Sequence, residues 1–245
     1  FTVETTRGAV AAQQVVCAIP AALVPGLAPS AVGEALRPYL VRDQDAMGGA
    51  LVVFLGVPED AVAGQEFTHH QLLDSYDQPL GNGNNMFISI SARDDLQSAP
   101  AGHRAVMIST HCELSPWQGC SDAEYAERKR AAGDRLLSMA RRVYPNLTHA
   151  PVVCEIATPR TYQRYVHRPH GAVGGFRQSL RNANQRALPH DLGVPGFWMC
   201  GDSTWPGLGT VACVLGSRVV ASGVLASAPP SRARGIASPE LPDAQ

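Results

Sequence analysis

Apolar and polar positions along this chain separate strands from helices. Thr2 to Thr5 and Ala9 to Ala18 alternate or run apolar around Arg7-Gly8, the pattern of a hairpin-like pair. Pro20, Pro25 and Pro29 then break regular structure, and Ser30 to Leu40 is a short helix candidate. Residues 45 to 57 (DAMGGALVVFLGV), His69 to Tyr76, Met86 to Ala92 and Arg104 to Cys112 each read as strands. The loop QPLGNGNN joins the middle two, and its Gly and Asn residues favour positive φ. Segments at such close spacing predict an antiparallel sheet. Ser121-Asp122-Ala123-Glu124 is a capping box that opens a helix running to about Tyr144, where Pro145 ends it. Tyr125, Ala132, Leu136, Met139, Ala140 and Val143 share one face of that helix. Arg128, Arg130, Arg135 and Arg142 occupy the other, which reads as a solvated face rather than a contact for anionic lipid. Val152 to Ala157 is a last strand, and the Pro-, Ser- and Ala-rich tail 229–245 is expected to be disordered.

The most informative stretch follows the apolar strand GFWMC (Gly196 to Cys200). It reads CGDSTWPGLGT and passes into a run of small and apolar residues with helical character. Gly201, Gly207 and Gly209 let the backbone approach a ligand closely. Asp202 stands at the strand end, within reach of a hydroxyl. A helix starting near Gly209-Thr210 aims free N–H groups and the positive end of its dipole at the same place. A carboxylate for a sugar-like hydroxyl beside a helix N-terminus for a developing anion describes a flavin. The plainer alternative is a tight strand-to-helix turn with Asp as a cap.

Composition narrows the classes. The chain has 245 residues, is 45% hydrophobic and 17% charged, and has a formal net charge of −1. This suits one large or two small globular domains and carries no nucleic-acid footprint. The apolar runs Ala50 to Val57 and Val211 to Ala228 look too short, or too interrupted by Gly, Ser and Arg, for a spanning helix. The six cysteines show no CxxC or metal spacing, so no metal is expected and a reducing cytosolic setting fits. Neither GxSxG nor HExxH is present. His69 and His70 are strand neighbours and point to opposite faces, so they do not share a metal; one would face a substrate cavity, with His70 the candidate. No catalytic residue is assigned.

The GDSTWPGLG run resembles the C-terminal FAD-contacting motif of the flavin amine-oxidase superfamily, in the branch of carotenoid desaturases, carotenoid isomerases and retinol saturase. The likeness extends through Thr158-Pro159-Arg160-Thr161-Tyr162 and His167-Arg168-Pro169-His170-Gly171-Ala172-Val173-Gly174-Gly175. It continues more weakly through Phe67-Thr68-His69-His70 and Ala99-Pro100-Ala101-Gly102, covering most of residues 60 to 226. The resemblance implies FAD at Gly201, Asp202, Pro206, Gly207, Leu208, Gly209, Thr210 and Val211. It implies a substrate tunnel near Gly174, Gly175, Trp205 and His70. Such enzymes begin with G-x-G-x-x-G after a first strand. Here only Gly207-Leu208-Gly209-Thr210-Val211-Ala212 approximates it, six residues beyond its strand and without the acidic residue that should follow. The chain therefore reads as the C-terminal half of a larger α/β protein. Residues 1–29 and 158–228 would be the later part of a Rossmann-like FAD domain, interleaved with an antiparallel-sheet-plus-helix (α+β) substrate domain, 30–157. The implied activity is desaturation of a carotenoid or related polyene by hydride transfer to FAD. A flavin-dependent isomerase or retinoid saturase shares the motif. A non-catalytic remnant that binds lipid or a partner is the alternative from another class. An apolar polyene substrate would favour peripheral membrane association.

Overall fold

The computed structural model describes residues 1–207 and 209–227, so Leu208 and residues 228–245, which include the expected tail 229–245, lie outside the described residues. The chain opens with a hairpin, β1 (Thr2–Thr5) and β2 (Gly8–Ala11), turned at Gly8 with φ +117°. Then β3 (Val15–Cys17) leads through Pro-rich turns to α1 (Ser30–Arg42), which buries Val32 and Leu36 one helical turn apart.

The expected antiparallel sheet is present. It contains β4 (Gly49–Pro58), β5 (His69–Leu73), β6 (Asn85–Ile90), β7 (His103–Cys112) and β8 (Val153–Ala157) in the order β5-β6-β7-β4-β8. Its two faces differ sharply. The row His70, Ile88, Ile108, Val53 and Ile156 lies in register on one face. The row His69, Ser89, Met107, Phe54 and Glu155 lies on the other. The first face is covered by α2 (Asp122–Ala140), whose Leu136, Met139 and Ala140 join Val53, Leu55, Ile88 and Ile108 in one buried cluster. On the second, Phe54, Phe87 and Met107 stay about two-fifths exposed, at 43%, 39% and 41%.

The capping box of α2 is complete: Glu124 N–H donates to Ser121 Oγ at 3.3 Å and Ser121 N–H to Glu124 Oε2 at 2.8 Å. The regular helix ends at Ala140 rather than Tyr144. Bonds from Arg142 N to Met139 O and Val143 N to Ala140 O tighten the last turn to three-residue spacing. The arginine face is solvated and ion-paired, as expected: Arg142 meets Asp74 at 2.7 Å, and Arg130 pairs with Glu127.

Beyond the sheet, α3 (Pro159–Val166) and a long connector lead to β9 (Phe197–Met199), and α4 (Thr210–Ser227) follows the turn. β9 pairs in parallel with β3, from the other end of the described chain (Val15 with Phe197, Cys17 with Met199). Phe197 and Met199 join Val24, Val32, Leu36 and Leu188 in a second buried cluster. The chain is thus a mixed helix-and-strand molecule, consistent with an α/β fold.

One expectation is corrected. The small-residue run forms an unbroken helix of 18 residues with mean hydropathy 1.6, long and apolar enough to cross a membrane by length and composition. Its glycines do not interrupt it, because they are its contact points. A Cβ on Gly223 would lie 2.4 Å from the Trp198 ring, and one on Gly216 3.0 Å from His190. Only 11% of the helix is buried, and Val211, Val214, Leu215, Val219 and Leu225 are exposed.

Candidate functional site

The turn between β9 and α4 sits where several elements end. Gly201, Gly207 and Gly209 all take positive φ (+96°, +104° and +109°), the conformations that glycine adopts without penalty. Thr204, 2% exposed, donates its hydroxyl to the Gly201 carbonyl at 2.8 Å and closes the turn on itself. The Ser203 hydroxyl accepts from Ala21 N–H at 3.1 Å, tying the turn to the segment after β3. Gln178 donates to the Pro206 carbonyl at 2.6 Å and lies where a Cβ on Gly207 would fall, 2.5 Å away. Around Gly209, by contrast, a Cβ would meet nothing within 4 Å among the described residues. Helix α4 begins at Thr210, with Val211 next; its first bond among the described residues runs from Cys213 N to Gly209 O, and the amides before it have no helical partner among those residues.

Asp202 does not stand alone. Arg168 Nη2 donates to its Oδ2 at 2.5 Å, with the two side chains 22% and 18% exposed. The same guanidinium donates through Nη1 to the Gly174 carbonyl at 3.0 Å. One arginine thus holds the strand-end carboxylate against the connector. Asp202 Oδ1 carries no hydrogen bond among the described residues.

The connector is folded tightly. His167 (φ +53°), His170 (φ +55°), Gly171 (φ +74°) and Gly174 (φ +79°) are all left-handed. For the two histidines this is strain of a kind that clusters at functional sites. A Cβ on Gly171 would fall 1.9 Å from the Pro159 carbonyl, and one on Gly175 1.9 Å from the Asp202 carbonyl. Gly175 therefore packs closely, and what it packs against is the turn itself. Val173 N–H donates to Gly48 O and Arg177 N–H to Ala46 O, which fixes this region at the start of β4. A second polar knot lies alongside. Asp43, 3% exposed, takes two bonds from Arg42 (2.6 and 3.0 Å) and one from Asn182 (3.2 Å).

Trp205 is at the turn's surface, 37% exposed, and precedes Pro206 in a cis peptide. His70 lies elsewhere. It is on the helix-covered face, its Nε2 2.7 Å from the hydroxyl of Tyr144 and 3.0 Å from the Phe67 carbonyl. His69 is the neighbour on the open face. The two do point to opposite faces, but this placement removes His70 from the candidate substrate surface. Arg160 and Tyr162 of the TPRTY motif sit on α3. Arg160 stacks 4.3 Å over the Tyr125 ring and donates to the Cys120 carbonyl at 2.6 Å, a link between α3 and the start of α2. Burial pushes the Cys112 thiol up to about 12, the neighbouring Glu113 adding to the rise and Arg177 opposing it. Burial likewise raises the Tyr162 hydroxyl, with Cys112 adding to the effect. Neither group is ionised at neutral pH, so this end of the sheet supplies no thiolate.

The motif that contains Arg168 gives it no partner in the sequence, and Asp43, Gln178 and Asn182 stand out there in no way. The one available signal was Arg168 within a run that resembles a flavin-family motif, since an arginine facing a turn carboxylate is a common way to fix it.

No family model matches the chain. Prolycopene isomerase of Daucus carota is 29% identical over 167 residues, 66% of this chain and 27% of that protein. The prolycopene isomerase of Arabidopsis thaliana is 25% identical over 167 residues, and a phytoene desaturase of Fusarium fujikuroi 24% over 164 residues, 58% of this chain and 28% of that protein. The chain spans little more than a quarter of the length of these curated relatives. A crystal structure of an oxidoreductase from Methanosarcina mazei shares the fold over 89% of this chain and 44% of its own, with a TM-score of 0.50 and 13% identity. The sequence is thus related to the carotenoid isomerases and desaturases, consistent with the flavin amine-oxidase superfamily, through a segment of their length.

Proposed function

We propose that this chain supplies the flavin-ring side of an FAD-dependent oxidoreductase that acts on a carotenoid or related polyene. In this reading residues 1–29 and 158–228 belong to the cofactor domain and 30–157 to the substrate domain. The observation that carries it is the turn. It combines three positive-φ glycines, a Gly209 with no described neighbour where a Cβ would stand, the N-terminus of α4 and a carboxylate already oriented by Arg168. That donor set fits the ribityl and pyrimidine edge of a flavin. Asp202 Oδ1 is placed to accept from a ribityl hydroxyl, and the amides of Thr210 and Val211 suit a ring edge that becomes negative on reduction. Gly201, Pro206, Gly207 and Gly209 supply close backbone approach. When bound, the flavin supplies the hydride-accepting chemistry. The chain's own residues bind and orient, and Trp205 with the Gly174-Gly175 connector borders the space where an apolar substrate would enter.

The exposed apolar surface of α4 fits this reading, since in a larger α/β domain such a helix is covered by further sheet and helix. A second reading, a flavin-dependent isomerase, is favoured by the higher identity to prolycopene isomerases (25–29%) than to phytoene desaturase (24%). It uses the same residues. Desaturation releases a product with more double bonds, whereas isomerisation conserves them, so product analysis separates the two. The test of the site is flavin retention by a longer protein containing this chain. Asp202→Ala should weaken it about 10- to 150-fold, the worth of about 1.5–3 kcal/mol for a charge-assisted hydrogen bond. Full retention through dialysis would sink the assignment.

A further inference from the structure

Gln178 reaches the turn from the connector. Its Nε2 donates to the Pro206 carbonyl at 2.6 Å and stands 2.5 Å from where a Cβ on Gly207 would lie. Any side chain at Gly207 would displace this amide, and Gly207 also takes φ +104°. The bare backbone at Gly207 thus makes room for Gln178, and a ligand arriving there meets the amide as well as the backbone. Gln178 is exposed, yet its base is rigid. Buried Asn182 grips the chain on both sides of it. Asn182 Nδ2 donates to Arg177 O at 3.0 Å, and Asn182 Oδ1 accepts from Ser179 N–H at 2.7 Å and from the Ser179 hydroxyl at 3.2 Å. The same Nδ2 donates to the buried Asp43 carboxylate at 3.2 Å, which Arg42 holds in turn. This clamp fixes the backbone at Gln178 before any ligand arrives, which lowers the entropy cost of using its side chain. Gln178, Asn182, Asp43, Asp202 and Gly207 all border one cavity of about 20 Å³. It is too small for an organic ligand, so it marks these side chains as neighbours and puts Gln178 beside the carboxylate of the turn.

We propose that the Gln178 side-chain amide reads the ligand at the turn, pairing with the imide edge of a flavin ring so that Oε1 accepts from the ring N3–H. The inference rests on the function proposed above and adds a specificity residue to that site. The two edges match chemically. One hydrogen of Nε2 goes to Pro206 O, which leaves its second hydrogen as a donor and Oε1 as an acceptor. Among the described residues Oε1 has no hydrogen-bond partner. The pyrimidine edge of a flavin carries N3–H between two carbonyl oxygens. A donor and an acceptor side by side on one amide engage two neighbouring ring atoms, as amide side chains do with base edges. The surroundings also suit a neutral group: Asp202 is paired with Arg168 and Asp43 with Arg42, so neither carboxylate is left over for a cation and neither guanidinium for an anion.

The test titrates the isotope-labelled chain with FMN and with FMN methylated at N3, which keeps the ring and the ribityl chain but lacks the N3–H. Affinities are read from the amide shifts of Gly209 and Thr210. Wild type should favour FMN about fivefold or more, the scale of removing a donor and leaving its acceptor unmet. Gln178→Ala should weaken FMN by about the same factor and bind the two ligands alike. Gln178→Leu keeps the bulk of the side chain without the amide and should do likewise, which separates hydrogen bonding from shape and covers the case in which one variant fails to fold. Three results overturn the proposal: no preference for FMN in wild type, a preference that survives in either folded variant, or tighter FMN binding by Gln178→Ala, which would make the amide an obstruction. Failure of the whole site reads differently. If neither ligand moves Asp202, Gly209 or Thr210, the turn is no flavin site, and the proposed function falls with this inference. Shifts at those residues by both ligands with equal affinity leave the proposed function standing and remove only the role of Gln178.

Discussion

Replacing Arg168 by Met tests whether the strand-end carboxylate is held in place or merely near a guanidinium. A fully exposed pair contributes about 0–1 kcal/mol, whereas removing one member of a buried pair costs about 3–5 kcal/mol. The Arg168 and Asp202 side chains are 22% and 18% exposed, so the site lies between these limits. The variant also loses the bond to the Gly174 carbonyl at 3.0 Å. Together these predict a loss of about 2 kcal/mol, roughly a thirtyfold shift in the folding equilibrium. Urea unfolding followed by circular dichroism measures it. The decisive quantity is the coupling in a cycle with Asp202→Asn, expected at about 1–2 kcal/mol. Arg135→Met, whose partner Asp74 is exposed and 3.9 Å away, should show almost none in a cycle with Asp74→Asn. If Arg168→Met costs as much with Asp202→Asn as without it, the guanidinium acts through Gly174 alone and the carboxylate is not held by it.

Gly175→Ala should destabilise the chain by about 2 kcal/mol or more, because its Cβ would fall 1.9 Å from the Asp202 carbonyl and backbone must move; an unchanged thermal midpoint would contradict the packing of connector on turn. Cys112 is protonated in the fold, with its thiol moved from an ordinary 9.0 to about 12. The stability this contributes is complete below about 9 and is lost as pH rises towards 12, so the urea midpoint of the wild type should fall over that range more steeply than that of Cys112→Ser. Equal slopes would contradict it. Tyr144→Phe removes a hydroxyl that meets His70 at 2.7 Å and donates to Phe67 O at 3.1 Å, and should cost about 1–2 kcal/mol in urea unfolding; a neutral effect would mean the hydroxyl adds nothing to the join between β5 and the core.

The strands of the sheet were legible because alternation is local, and so was the start of α2, where Ser121 and Glu124 stand three residues apart and bond reciprocally. Alternation also placed His69 and His70 on opposite faces, but it does not say which face a helix will cover. Tyr144, 74 residues further on, decided that in favour of covering His70. The parallel pairing of β3 with β9 joins three-residue strands about 180 residues apart, and nothing in either triplet names the other. Arg168 and Asp202 are 34 residues apart and meet only because the connector folds back through its left-handed residues. The glycines of α4 read as interruptions in a sequence; in the fold they admit Trp198 and His190 to the helix surface.

In the proposed function the turn receives the ring and ribityl end of a flavin, while the ADP end is held elsewhere. The most direct test is to titrate the isotope-labelled chain with FMN and separately with ADP, following backbone amide resonances. The account predicts that FMN shifts Gly201, Asp202, Gly207, Gly209, Thr210 and Val211, and that ADP shifts none of them. Shifts caused by ADP at the turn, or an FMN response that leaves Asp202 and Thr210 unmoved, would contradict it.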